Sequence, residues 1–189
     1  MIYEISEFDN YLLITTIEHA KVGRVEGFLE SLRRKSQATE VQVLRPDRVA
    51  GAEHLFFATM NALNAFKQKT NLSKGLPMEI LLYASAQRQI KNAIEMLGLK
   101  ENPGKFALVA VSSDRGKLEN LLKAVLSLTK GKENETALDK WSEMKIEELK
   151  KLYGISEREL AATTSTKTSI EKALKNSIIE RMAILVTQT

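Results

Sequence analysis

The sequence predicts an α/β (α+β) fold: a mixed sheet of about five strands covered by helices, with a helical C-terminal region. Three observations predict it. Short runs of β-forming residues recur from Met1 to Ser112. Segments with apolar residues at helical spacing lie between them. Hairpin and crossover connections are both implied, so parallel and antiparallel pairs are expected in one sheet. With 189 residues the chain is long enough to bury a core, and one domain over 1–189 is the expectation.

The elements follow in order. Met1 to Ser6 and Tyr11 to Ile17 read as two strands around an Asp9-Asn10 turn. Val22, Val25, Phe28, Leu29 and Leu32 recur as one helix face, and Arg33, Arg34 and Lys35 suit the negative end of its dipole. Thr39 to Leu44 alternates as a strand, and Pro46-Asp47 stops it and offers a helix start. Ala52, Phe56, Thr59, Leu63 and Phe66 mark the next helix. Glu79 to Ala84, EILLYA, reads as a buried central strand. Ile90, Ala93, Ile94 and Leu97 form a helix ended by Gly98.

Pro103-Gly104 turns the chain into a strand over Lys105 to Ser112. Asp114 caps a helix carrying Leu118, Leu121, Leu122, Val125 and Leu128. Lys130 to Thr136 has no apolar residue and reads as a mobile surface loop. Helices are expected at about 138–153, near 157–161 and over 169–186; capping boxes at Ser156/Glu159 and Thr168/Glu171 start the last two. Ala162 to Thr168 is a polar linker.

Composition narrows the chemistry. The absence of cysteine removes disulfides and thiolate sites, and two histidines leave little for a metal or a triad. His19 and His54 have no partner at ligand spacing, and a surface or packing role suffices for His54. No glycine sits in a phosphate-loop pattern. Paired carboxylates such as Glu147-Glu148 lie beside lysines and read as ion-paired helix faces. No cofactor, metal or catalytic residue is assigned. No signal peptide or run of roughly 18 apolar residues is seen, so a cytoplasmic, soluble protein without membrane contact is the expectation.

What remains is charge. The chain carries a formal +4 and a pI near 9.2. Lys67, Lys69, Lys74, Arg88 and Lys91 face a single acid, Glu79, so the segment 67–91 equals the net excess of the whole chain. If the strand between the flanking helices is buried, these five cations form one patch able to neutralise phosphates, with Gln87, Gln89 and Asn92 as hydrogen-bonding neighbours. The competing reading is a solvated helix face.

The run EHLFFATMNALNAFKQKTNLSKGLPMEILLYASAQRQIKNAIEMLGL resembles the archaeal Cgi-type subunit of the KEOPS complex, a relative of the p53-related-kinase (PRPK) binding protein TPRKB. Tyr153-Gly154-Ile155-Ser156 with Glu159-Leu160, and Ile179 to Leu185, fit the same family. The resemblance implies a non-catalytic accessory subunit in tRNA threonylcarbamoyladenosine modification, with no small-molecule substrate. Its partners would be the PRPK-type kinase-like ATPase subunit of KEOPS and tRNA, engaged at its 3′ CCA end. Lys67, Lys69, Lys74, Arg88 and Lys91 are then the candidate RNA contacts. The last helix, apolar nearly all round, offers Ile178, Met182 and Leu185 as candidate partner contacts; burial in the chain's own core is the competing reading. A scaffold that binds only the kinase-like subunit, without RNA, is the alternative function.

Overall fold

A computed structural model describes residues 1–36, 39–163 and 169–185. Its elements run β1 (Ile2–Ile5), β2 (Asn10–Glu18), α1 (Val25–Lys35), β3 (Glu40–Leu44), α2 (Ala52–Gln68), α3 (Leu76–Ser85) and α4 (Ile90–Leu97). Then come β4 (Lys105–Ser112), α5 (Arg115–Thr129), β5 (Lys132–Asn134), α6 (Glu143–Tyr153), α7 (Glu157–Thr163) and α8 (Ile170–Ala183). The chain forms two compact units: Met1–Pro46 with Gly98–Leu138, and Asp47–Leu97 with Asp139–Thr189.

The first unit holds the sheet. Its strands run β1-β2-β4-β3, with β5 also on β2, and every pairing is antiparallel rather than the expected mixture. The α/β class and five strands stand, but one strand is a different one. The register sets Leu13 opposite Ala110, Ile17 opposite Phe106 and Val43 opposite Leu108. Alternation along each strand puts these six on one face. They form a core with Phe28 and Leu32 of α1 and Leu118, Leu121 and Val125 of α5. Phe28 and Phe106 meet at a ring-centroid distance of 5.3 Å. Asp114 caps α5 as the sequence predicts, accepting from Gly116 N at 2.8 Å.

β5 lies where a loop was expected. Lys132–Asn134 pairs with Thr16–Glu18, an edge pairing to which Asn134 Nδ2 adds a bond to Glu18 Oε2 at 2.9 Å, and its polar side chains carry no strand signature. Gly131 permits it: a Cβ there would sit 2.9 Å from the Glu18 carbonyl oxygen.

The second unit is helical, and it corrects the strand expected at 79–84. EILLYA belongs to α3, entered through Gly75 with proline in its first turn. Residues 79–85 are all buried. A short run that is apolar on every side fits a buried helix as well as a central strand, and periodicity cannot separate them. α2 starts at Ala52, later than Pro46-Asp47 suggested; residues 46–48 form only a 3-10 turn. Its first turn is capped from a distance by Asp139, whose carboxylate accepts from Ala52 N at 3.1 Å. A side chain at Gly51, φ 101°, would collide with that carboxylate.

Ser142 caps α6, Gly154 ends it in the left-handed region, and Ser156 accepts from Glu159 N at 3.2 Å. α8 is capped by Ser169, one residue later than the box expected at Thr168. The linker read at 162–168 begins inside α7; Thr168 with 164–167, and Val186, lie outside the described residues.

Candidate partner and RNA surfaces

Both ends of α3 are built from buried polar groups, and each supports exposed side chains. α2 and α3 form an antiparallel hairpin: the loop 69–75 joins them at one end, and His54 in α2 reaches Ala84 in α3 at the other. Both helices close on a residue in the left-handed region. Lys69 N and Thr70 N turn back to Phe66 O and Ala65 O, and Ala86 N and Gln87 N to Tyr83 O and Leu82 O.

At the loop end, Glu79 is fully buried. Its two carboxylate oxygens accept from Leu72 N at 3.0 Å and Ser73 N at 2.7 Å. Ser73 Oγ donates to Gly75 O at 2.9 Å and Asn71 Nδ2 to Ser73 O at 2.8 Å. The single acid of the segment 67–91 therefore points inward and ties the loop down, while Lys67, Lys69 and Lys74 stand exposed around it.

At the other end, the Ala84 carbonyl lies in the last turn of α3, where no intrahelical donor remains. It accepts from both His54 Nε2–H and Tyr153 Oη, each at 2.9 Å. His54 Nδ1 in turn accepts from Ala50 N at 3.0 Å, which fixes the Nε2–H tautomer and leaves no ring nitrogen for a ligand. Burial lowers the His54 pKa to about 4, and burial raises that of Tyr153. Arg48 completes the hub, donating to Glu148 Oε1 at 2.8 Å and to Met96 O at 2.9 Å. Among the described residues no group of three or more His, Asp or Glu is placed to hold a metal.

Arg88 and Lys91 are exposed at this hub end, in the turn before α4 and in its first turn. The five cations predicted as one patch are thus two groups. α3 separates Lys67, Lys69 and Lys74 from Arg88 and Lys91 by roughly its own length, ten residues or about 15 Å. A strand would have separated them as well, six residues spanning about 20 Å; either element sends the segments before and after it to opposite ends.

Beside Arg88 opens a cleft of about 610 Å³ at the C-terminal end of α3, lined by Gln87, Ser177, Glu180, Arg181 and Ile184 among others. Arg181 is clamped by Glu159, 2.6 and 3.0 Å across a two-point pair, and also donates to Gly154 O. That pair holds the Glu159 carboxyl below its usual range. α4 faces two ways. Ala93, Met96 and Leu97 are buried, whereas Ile90 and Ile94, one turn apart, are 44% and 48% exposed.

The partner contacts expected on the last helix do not reach the surface. Ile178, Met182 and Leu185 are buried at 0–1% exposure. With Ala173 and Leu174 they form the inward stripe of α8 and its C-terminal turn, so their apolar character is accounted for by the core of their own unit. Ile184 is the large apolar residue of this stretch that is exposed, at 48%.

The kinase binding protein CGI-121 family matches residues 20–185. The chain belongs to this family. A curated relative, the regulatory protein Cgi121 of Methanocaldococcus jannaschii, is 42% identical over 60 residues, spanning 32% of this chain and 39% of that protein. The match thus covers well under half the length of that relative. In this CGI-121 chain, sequence reasoning missed the supporting roles of Glu79, Tyr153 and Arg48, while His54 takes the packing role that was one of its two readings. Glu79 was legible as an acid isolated in an apolar run, a pattern that favours a buried, hydrogen-bonded carboxylate. Nothing in the sequence alone pairs Tyr153 with Ala84, 69 residues away. Among the described residues no helix is long and apolar enough to cross a membrane.

Proposed function

We propose that the chain is a non-catalytic accessory subunit that binds a small PRPK-type kinase-like ATPase and recruits tRNA by its 3′ CCA end for threonylcarbamoyladenosine modification within KEOPS. The observation that carries the kinase part is the Ile90–Ile94 stripe. A helix of eight residues needs one apolar face, and α4 has a second pointing to solvent. The family's description as kinase binding supplies the class of partner. The docking surface therefore moves from Ile178, Met182 and Leu185 to Ile90 and Ile94, with Arg88 and Lys91 at its rim.

The RNA part is supported by position. Arg88 and Lys91 stand next to the cleft lined by Gln87, Ser177 and Arg181, a concave site of the size that takes a nucleotide, with polar groups able to reach base edges. A scaffold that holds the kinase-like subunit alone is the second reading; Glu180 in the cleft lining and the pairing of Arg181 with Glu159 favour it.

Two measurements test the proposal. Ile94→Glu and Ile90→Glu are expected to weaken capture of the kinase-like subunit about tenfold or more, with the melting temperature unchanged. Wild-type capture by both variants overturns the docking surface. Wild-type protein is expected to retain tRNA bearing its CCA end more tightly than tRNA lacking it, and Arg88→Glu to weaken that retention. No tRNA shift at physiological salt decides for the scaffold reading.

A further inference from the structure

We infer that Lys67, Lys69 and Lys74 form a second RNA surface, one that tracks the phosphate backbone of a duplex rather than holding a strand end. The inference rests on the tRNA reading above, and its argument is local to the loop end of the α2–α3 hairpin.

The loop is rigid and one-signed. Between Asn64 and Gln87 the sequence holds one acidic residue, Glu79, and it is fully buried against Leu72 N and Ser73 N. Backbone and side-chain bonds at Lys69, Thr70, Asn71 and Ser73 fix the remainder of the loop. The three cations are therefore carried on a preordered frame, which reduces the ordering needed when phosphates are met. Helix dipoles account for only part of this charge. Lys67 and Lys69 suit the negative end of α2, but Lys74 precedes the positive end of α3, where a cation is disfavoured.

The composition selects the partner. Protein interfaces centre on apolar and aromatic side chains, and here only Leu72 is an exposed large apolar group, at 38%. Single-stranded RNA is held by bases stacked on aromatic rings, and residues 67–76 contain no aromatic. Duplex RNA is recognised through phosphates and 2′-hydroxyls, for which lysines flanked by Gln68, Thr70 and Asn71 are suitable donors. The two surfaces stand about one α3 length, about 15 Å, apart. That spacing lets a short single-stranded end reach the cleft while its stem crosses the lysines.

The test compares two probes on the full chain: an RNA hairpin of about ten base pairs ending in single-stranded ACCA, and the ACCA tetranucleotide alone. Lys67→Ala/Lys69→Ala/Lys74→Ala is expected to weaken the hairpin about tenfold or more and to lower its log-log salt slope by about 2–3. Binding of the tetranucleotide is expected to be unchanged, and circular dichroism to match wild type. The inference is overturned if the variant binds the hairpin as wild type does, or if it loses the tetranucleotide by the same factor. If Arg88→Glu abolishes hairpin binding while the lysine variant does not, the tRNA reading survives and this inference falls. If wild-type protein binds neither probe, both fall.

Discussion

The two ends of α3 solve the same problem with different chemistry. At its N-terminal side a loop must be held against the hairpin, and one buried carboxylate does it by accepting from two amides. At its C-terminal side the Ala84 carbonyl lacks a donor, and two side chains from elsewhere in the same unit, His54 and Tyr153, supply it. The first solution is local, seven residues or fewer in sequence. The second draws on Arg48, His54 and Tyr153, up to 105 residues apart. The difference teaches where the exposed cations get their order. Lys74 inherits its position from neighbours, whereas Arg88 and Lys91 inherit theirs from the tertiary hub.

The comparison can be broken by removing each support in turn. Glu79→Ala is expected to have the largest effect, a loss of about 3 kcal/mol in unfolding free energy, because two amides lose a charged acceptor. Amide exchange at Leu72 and Ser73 should accelerate while Ala50 and Gln87 stay protected. Equal acceleration at both ends would show that the ends are one cooperative device, not two.

The hub end is expected to show a pH dependence of similar size. His54 is held neutral, with its pKa lowered to about 4 from 6.5, so the folded state binds the proton more weakly than the unfolded chain. Stability from this group is complete above pH 6.5 and is lost as pH falls from 6.5 toward 4, up to about 3 kcal/mol. Protonation would place a hydrogen on Nδ1, which now accepts from Ala50 N. Denaturant melts at pH 7 and pH 5 measure it. His54→Phe lowers stability at pH 7 but should flatten the slope between those values; an unchanged slope would assign it to carboxylates instead.

Tyr153→Phe is expected to have the smallest effect, about 1 kcal/mol, because Ala84 O keeps its bond from His54 and the ring stays packed. A larger loss would mean that the hydroxyl's second contact, to Arg48 O, holds the hub together.

How much of this was legible in the sequence depends on the range of the interaction that decides it. Asp114 as a helix cap and Ser156 with Glu159 are contacts between residues two or three apart, and they stand as read. KFALVAVS and EILLYA both read as strands; the first is one and the second is a helix. Both runs are mostly apolar, and the company each keeps decides between strand and helix. Joining five cations into one patch rests on nearness in sequence alone, and a strand or a helix between them would equally hold the flanking segments apart.

The sequence by itself determined the α/β class, most helix faces and the concentration of positive charge between Lys67 and Lys91, because composition and short-range spacing carry all three; the family came from the resemblance of whole runs such as 53–99. The tertiary structure alone decided which apolar residues face solvent. It left Ile90 and Ile94 outside and took Ile178, Met182 and Leu185 inside, although all are aliphatic or thioether side chains with similar gains from burial. It also turned Glu79 inward. Burial is a property of what packs around a residue, and that is set by contacts distant in sequence that no local pattern encodes.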